Sequence, residues 1–387
     1  MKVSIKVRFK GILHRIRSLW GARIILALSD TRLFHSESLL DASPAAATGI
    51  ANKSVEDKEL INRIIAAYQR VNQADLGKSM WKFFFTTYHQ PIHQALIDGN
   101  EKTVTKILRN PEISYLFYGF DWLCKSYQNA FRNKKARKAY AKACLDGLVR
   151  FAESVGAVSM DNPESKLESR SLWKTEKVLA ELDKVCMPFS MPNPFTNEHG
   201  VGSSRGVISY RVPQALYQAW RIKQLLDGIQ NPRVLEVGAG LGRTAFYAYE
   251  LGIKDYTIVD LPITAAAQAY FLGRTLGEEN IHLDGEQFDD GPNRVKIVAP
   301  ETFLAENKTY DLILNVDSLT EMNFRVAQAY WEKIKVSTNI FLSINHEANS
   351  FRVRDLLVKD LNSLNVQRGL YWMREGYAEE LIRIPSA

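Results

Sequence analysis

The stretch Val234-Leu235-Glu236-Val237-Gly238-Ala239-Gly240-Leu241-Gly242-Arg243-Thr244 carries the clearest chemistry in the chain. An apolar strand runs into a glycine turn, and the turn opens a helix. Gly238 and Gly240 permit tight turning and let a ligand approach where a Cβ would intrude. A dinucleotide fingerprint would place Gly or Ala at 243, against a pyrophosphate, but Arg243 stands there. Glu236, just inside the strand, aims a carboxylate at the turn. That suits a ligand with a positive centre and an amino group better than a pyrophosphate. Eighteen residues beyond Gly242, the next apolar run ends in Asp260, followed by Leu261 and Pro262. An acid at such a strand tip can accept both hydroxyls of a ribose. A generic strand-to-helix turn would account for the glycines but not for the placing of Asp260.

These residues need a scaffold, and the sequence from about residue 212 supplies one. Apolar runs at 233–237, 256–259, 295–298, 310–316 and 340–344 alternate with helical patterns at 244–251, 265–276, 326–334 and 354–361. Residues 369–374 and 380–384 read as a closing hairpin. Buried-type strands alternating with helices predict a parallel sheet covered on both faces, with ligands at the carboxyl ends of its strands. Upstream, Ser54 and Asp57 form a capping box, and Ile61, Ile64, Ile65, Tyr68 and Val71 keep one helical face apolar. Helical patterns continue to about 158, and a further helix is predicted over 171–186. Residues 36–53 read as a linker. The prolines 188, 192 and 194 make 187–195 a loop and a domain joint. The predicted parts are 1–53, 54–204 and 205–387.

Residues 236–242 and Asp260 resemble motif I and the ribose-binding acid of class I S-adenosylmethionine-dependent methyltransferases. With GVISYR at 206–211, YTIVDLP at 256–262, NVDSLTEM at 315–322 and SINHE at 343–347, the chain resembles the bacterial sugar O-methyltransferase family. The resemblance covers roughly 190–350 and is weaker over the helical part. It implies an α/β class, a Rossmann-like class I methyltransferase sheet with helices on both faces, preceded by a mostly helical domain that caps the pocket and selects the acceptor. It implies S-adenosyl-L-methionine held by Glu236, Gly238, Ala239, Gly240, Gly242, Asp260 and Leu261, with Asn315 at the next strand tip and Glu301 near the adenine. The implied reaction is methyl transfer to a hydroxyl of a nucleotide sugar or of a surface-polysaccharide or lipopolysaccharide glycan.

Methyl transfer from a sulfonium to a hydroxyl is an in-line displacement, so the protein must align the atoms and take up the hydroxyl proton. The tips at 315–318 and 345–347 should face the pocket. His346 is the first candidate base, since an imidazole is readily neutral near pH 7; equally, it is a polar residue bonded at a strand end. Asp317 is the second candidate, with capping of the next turn as its alternative. Glu321 would hold a substrate hydroxyl or orient the base, or else be a solvated carboxylate. Asn315 and Asn345 offer donors and acceptors to cofactor or sugar. His199, Arg205, Tyr210 and Arg211 fall in the joint and are candidate substrate-binding residues. An arginine fork there would clamp a phosphate or carboxylate, or form a structural ion pair. A divalent cation on Asp317, Glu321, His346 and Glu347 would suit magnesium, but the spacing matches no specific loop and no metal site is assigned.

The composition sets the outer bounds. With 387 residues, 46% hydrophobic and 24% charged, the chain is globular and long enough for two domains. Three cysteines without metal-ligand spacing exclude disulfide scaffolds and zinc fingers and fit a reducing cytoplasm. No apolar stretch approaches the roughly 18 residues of a bilayer span. The +7 balance suggests an anionic partner or surface without choosing one. Residues 1–23 are basic throughout, and Phe9, Ile12, Leu13, Ile16, Leu19 and Trp20 fall at helical spacing. That pattern would allow peripheral contact with the inner membrane face. Val3, Ile5, Val7 and Phe9 alternate like a strand instead. A basic run from Arg132 to Lys142 is the best support for a nucleic-acid methyltransferase. Against that, the 310–316 strand does not end in an Asn/Asp-Pro-Pro-aromatic pattern, so a small-molecule or glycan acceptor is favoured over nucleic acid. A non-catalytic helical binding protein with a vestigial cofactor domain is the other rival. The oligomeric state is not readable.

Overall fold

The computed structural model describes residues 33–49, 57–71, 80–162, 164–167, 170–287, 291 and 293–385. The basic segment 1–23 and Ser54 lie outside the described residues. The chain divides into two compact units, one formed by Met1–Lys53 and Asn110–Gln214, the other by Ser54–Arg109 and Ala215–Ala387.

The first unit is organised by the helix Lys134–Ser154, whose start is capped by Asn133 Oδ1 accepting from the Lys135 and Ala136 amides at 2.9 and 3.3 Å. The basic run therefore lies mostly on the first turns of this helix, which buries Tyr140, Leu145, Leu148 and Phe151 further along. Five short strands accompany it: β1 (Leu40–Asp41), β2 (Pro44–Thr48), β3 (Trp173–Lys174), β4 (Thr196–Ser203) and β5 (Gly206–Ile208). β1 pairs with β3 in parallel, and β2, β4 and β5 form an antiparallel sheet. This corrects one sequence expectation and adds an element that the sequence left unassigned. Residues 36–53 are not a plain linker, because Ala45 and Ala46 pair with Gly200 and His199. Residues 196–208 form a hairpin, because glycine at 200 lets the backbone come so close to Ile208 that a Cβ there would collide with its carbonyl. The proline-rich stretch before it has no regular element until Thr196. The aromatic-rich 110–133 segment carries only short turns, such as Pro111–Ile113 and Lys125–Gln128, where the sequence suggested continuous helix.

The second unit holds an eight-stranded sheet: β6 (Arg233–Val237), β7 (Asp255–Val259), β8 (Ile281–Leu283), β9 (Val295–Val298), β10 (Leu312–Val316), β11 (Ile340–His346), β12 (Asn365–Leu370) and β13 (Tyr377–Arg383). Their order is β12-β13-β11-β10-β6-β7-β9-β8, parallel except for β13, which runs antiparallel to both neighbours. β7 is buried at every position, as a strand covered on both faces must be. The helices α1 (Lys58–Arg70), α2 (Arg243–Glu250), α3 (Pro262–Leu276) and α4 (Phe324–Ser337) flank it. Tyr330, Trp331 and Ile334 of α4 join Leu235, Ile313 and Phe341 of the sheet in one buried cluster. The sheet order reverses at β6, so the crevice beyond the carboxyl ends of β6 and β10 is where a ligand belongs.

α1 comes from far upstream yet packs within this unit. Asp57 precedes it without any side-chain capping bond. Its carboxylate accepts instead from Arg109 and from the Tyr270 hydroxyl of α3, and Arg274 lies 3.7 Å away. Arg63 forks onto Glu286 at 2.7 and 2.9 Å.

Candidate active site

Between β6 and α2 the chain turns through Gly238, Gly240 and Gly242, with φ of 74°, 56° and 86°, the left-handed region that favours glycine. The Gly238 amide donates to the Val259 carbonyl at 2.9 Å, fastening the turn to β7. A Cβ at 238 would collide with Ser318, which follows β10.

Asp260 is tied into this turn. Its Oδ2 accepts from the Ala239 amide at 3.0 Å and from Gln268 Nε2 of α3 at 2.6 Å, and its Oδ1 from the Leu261 amide at 2.7 Å. Gln268 Nε2 also reaches the Gly240 carbonyl at 2.9 Å. A carboxylate offers about four acceptor sites; these three donors leave one, on Oδ1. Burial pushes the Asp260 carboxyl up to about 6, against the pull of those hydrogen bonds.

Asp260 lines an open pocket enclosing about 380 Å³, solvent included. Its walls are Pro262, Ala266 and Ala269 of α3, Ile297 to Ala299 at the end of β9, and Ile64, Tyr68 and Val71 of and just after α1. Asp284 is the second acid in its lining, held by the Ala299 amide and Thr302 hydroxyl, each at 2.8 Å. Tyr68 is steadied by its hydroxyl bond to His93 Nδ1 at 2.7 Å.

Glu236 lies inside the sheet, where the Tyr256 hydroxyl donates to it at 2.8 Å. Burial pushes it up to about 8, with the nearby Asp260 adding to the rise. It is therefore neutral near pH 7, not the free carboxylate that the sequence suggested. Arg243 is also buried, its guanidinium 5.3 Å from the centre of the Phe271 ring. Glu301 is exposed on the short helix Pro300–Ala305.

The tips of β10 and β11 form a second cluster. Asn315 gives its amide to the Val237 carbonyl at 2.9 Å, and Asn345 gives its own to Asn315 Oδ1 at 2.9 Å. Both are buried, and their polar groups bridge strands. Asp317 adopts φ of 66°, an uncommon conformation for a residue with a Cβ. Its Oδ2 accepts from Arg374 at 2.9 Å and from the Tyr377 hydroxyl at 3.1 Å. Arg374 stacks over Tyr377 at 3.8 Å, and Tyr377 meets the His346 ring edge-on at 5.4 Å. The Ala348 amide donates to His346 Nδ1 at 3.2 Å, which leaves the proton of a neutral ring on Nε2. Proton uptake at Nε2 would require the other tautomer. Glu321 accepts from the Trp81 indole at 3.0 Å. Among the described residues, no group of three His, Cys, Asp or Glu side chains is placed to hold a metal ion.

The other candidates lie in the first unit. Arg205 pairs with Asp183. Arg211 reaches Gln214 Oε1 at 3.3 Å, and the Tyr210 amide donates to the Tyr140 hydroxyl at 3.4 Å. His199 lies 4.3 Å from the Phe131 ring centre, and burial, with Arg137 nearby, lowers it to about 4, so it is neutral.

Sequence reasoning missed Gln268, Tyr68, Trp81, Arg374 and Tyr377. Gln268, Tyr68 and Trp81 carried no signal beyond helical periodicity, and Arg374 only its place at the end of a predicted hairpin strand. Tyr377 carried only a place near the predicted hairpin.

No protein-family model and no curated protein matches this sequence. Solved structures resemble part of it. One is the glycopeptide N-methyltransferase MtfA complexed with S-adenosylmethionine: 15% identity, TM-score 0.33, covering 44% of this chain and 94% of that one. Another is the magnesium protoporphyrin IX methyltransferase ChlM of Synechocystis PCC 6803 with the same molecule bound: 13% identity, TM-score 0.33, covering 45% of this chain and 84% of that one. These likenesses are remote and assign no function to the chain.

Proposed function

We propose that the chain is an S-adenosylmethionine-dependent methyltransferase whose acceptor is a hydroxyl of a sugar, carried on a nucleotide or on a surface glycan. One observation carries the reading. Asp260, fixed to the glycine turn by Ala239 and Gln268, stands at an apolar pocket with acceptor capacity to spare. That combination fits a nucleoside, with an apolar recess for a base and a carboxylate for a ribose hydroxyl. Three filled acceptor sites narrow the expected double ribose contact to one further hydrogen bond.

The residues fit the cofactor in kind. Asp260 would hold the ribose, Ile64, Tyr68, Val298 and Ala299 would flank the base, and the 238–242 turn would receive the amino-acid end. When bound, the cofactor supplies an activated methyl group. The chain's own part is to orient the acceptor at the β10 and β11 tips, exclude water and take up the hydroxyl proton. The resemblance at 315–322 and 343–347 supports a sugar acceptor.

Calorimetric titration with S-adenosylmethionine and S-adenosylhomocysteine tests the cofactor half, and absence of binding overturns it. Incubation with nucleotide sugars and lipid-linked saccharides, with product mass measured, tests the acceptor half. A gain of one methyl on a sugar supports it. Methylation confined to RNA overturns it.

A further inference from the structure

Trp81 sits on the short helix Met80–Phe84, which continues as a π-helical turn from Phe85 to His89. π-Turns are rare and frequently accompany functional sites. Trp81 is half-buried, and its indole N–H donates to Glu321 at 3.0 Å. Glu321 belongs to the turn Leu319–Glu321, four residues beyond Asp317 at the tip of β10. An aromatic ring from a separate segment is thereby held at the end of the sheet where the acceptor must lie. Around it, Phe84 packs edge-on at 5.6 Å, Phe83 is 56% exposed and Met80 is 42% exposed.

Resting on the methyltransferase reading above, we propose that Trp81, oriented by Glu321, is the wall against which the sugar ring of the acceptor stacks. An indole face matches the apolar C–H face of a pyranose, while a carboxylate beside it can accept from sugar hydroxyls. The same carboxylate disfavours other occupants. An acyl chain would desolvate Glu321 without compensation, and a nucleic-acid backbone would bring phosphates against it. Trp81 is thus a specificity residue that acts on acceptor binding and leaves the cofactor pocket alone.

The test uses the full chain saturated with S-adenosylhomocysteine and titrated with UDP-, GDP- and dTDP-linked hexoses. The wild type binds at least one of them. Trp81→Ala weakens that binding about tenfold, Trp81→Phe keeps it within about threefold, and Glu321→Ala weakens it too. Affinity for S-adenosylhomocysteine stays unchanged in all three, which also shows that the variants are folded. Wild-type affinity retained in Trp81→Ala overturns the proposal, and so does failure of the wild type to bind any sugar in the panel. Binding of single-stranded RNA that is lost in Trp81→Ala assigns the wall to a nucleobase and overturns the sugar. Failure of the wild type to bind S-adenosylhomocysteine is a separate result that removes the cofactor reading itself.

Discussion

Gln268 gives its side-chain amide to Asp260 at 2.6 Å and to the Gly240 carbonyl at 2.9 Å, so one buried group ties the β7 tip to the glycine turn. Gln268→Leu takes one of three donors from Asp260 and the side-chain donor from the Gly240 carbonyl, and should weaken S-adenosylhomocysteine binding about tenfold. Asp260→Ala should abolish most of it. Calorimetry at fixed pH reads both, and an unchanged Kd in Asp260→Ala removes that residue from the site.

Affinity should also depend on pH through Asp260. Its carboxyl, raised by burial to about 6, gains a proton as the pH falls below that value and loses acceptor capacity. Wild-type Kd should therefore rise between pH 7 and pH 5, while Asp260→Asn shows a flat profile over the same range.

Glu236 predicts a stability trend in the same direction as its shift. Its folded value of about 8, raised chiefly by burial, lies above the ordinary 4.5, so the native chain holds the proton more tightly. Its stabilising contribution is complete below about pH 4.5 and is lost as the pH rises through about 8. Glu236→Gln keeps a neutral hydrogen-bonding group and removes that loss. The Tm of this variant should exceed that of the wild type at pH 9 by more than at pH 5.

In the first unit, His35 bridges Asp146 at 2.8 Å and Glu153 at 3.0 Å. Burial alone would lower its pKa, but the two carboxylates outweigh it and raise the ring to about 9. The stabilisation is full below about 6.5 and lost as the pH rises through about 9. Chemical denaturation should show the first unit weakening between pH 7 and pH 10. His35→Leu should cost about 3 kcal/mol at pH 7 and remove that slope, because it takes the imidazole from two buried carboxylates, of which Asp146 keeps Arg150 at 3.0 Å.

Gly238→Ala should destabilise the protein by about 2 kcal/mol, through its left-handed φ of 74° and the collision with Ser318. Adding Ser318→Gly relieves the collision but not the backbone strain, so thermal denaturation should show partial recovery. Full recovery would mean that backbone conformation contributes nothing.

The glycine turn, Asp260 and the succession of strands were legible because their signals are local: a run of apolar residues, a glycine pattern, an acid at a strand end. The one strand missed in the sheet, β8, is three residues long, too short for any periodicity. Partners across the fold left no such trace. Trp81 meets Glu321 across 240 positions, and Arg374 meets Asp317 across 57. Glu236 was visible as a residue, but its neutrality depends on burial beside Tyr256. His346 was visible as an imidazole, but its tautomer depends on an amide two residues on.

The pocket wall supplied by α1 bears on how the protein is made. Arg63 leaves the ribosome 223 residues before Glu286, and Asp57 leaves 213 before Tyr270. Until α3 has been translated, Leu60 cannot pack against Gly273, and the nascent chain carries that part of the apolar face of α1 uncovered through most of its synthesis. A fragment starting near residue 205, the cut invited by the sequence, would expose the matching surface on α3. Such a truncation should be recovered as an aggregate, and co-expression of a 54–109 peptide is the direct remedy.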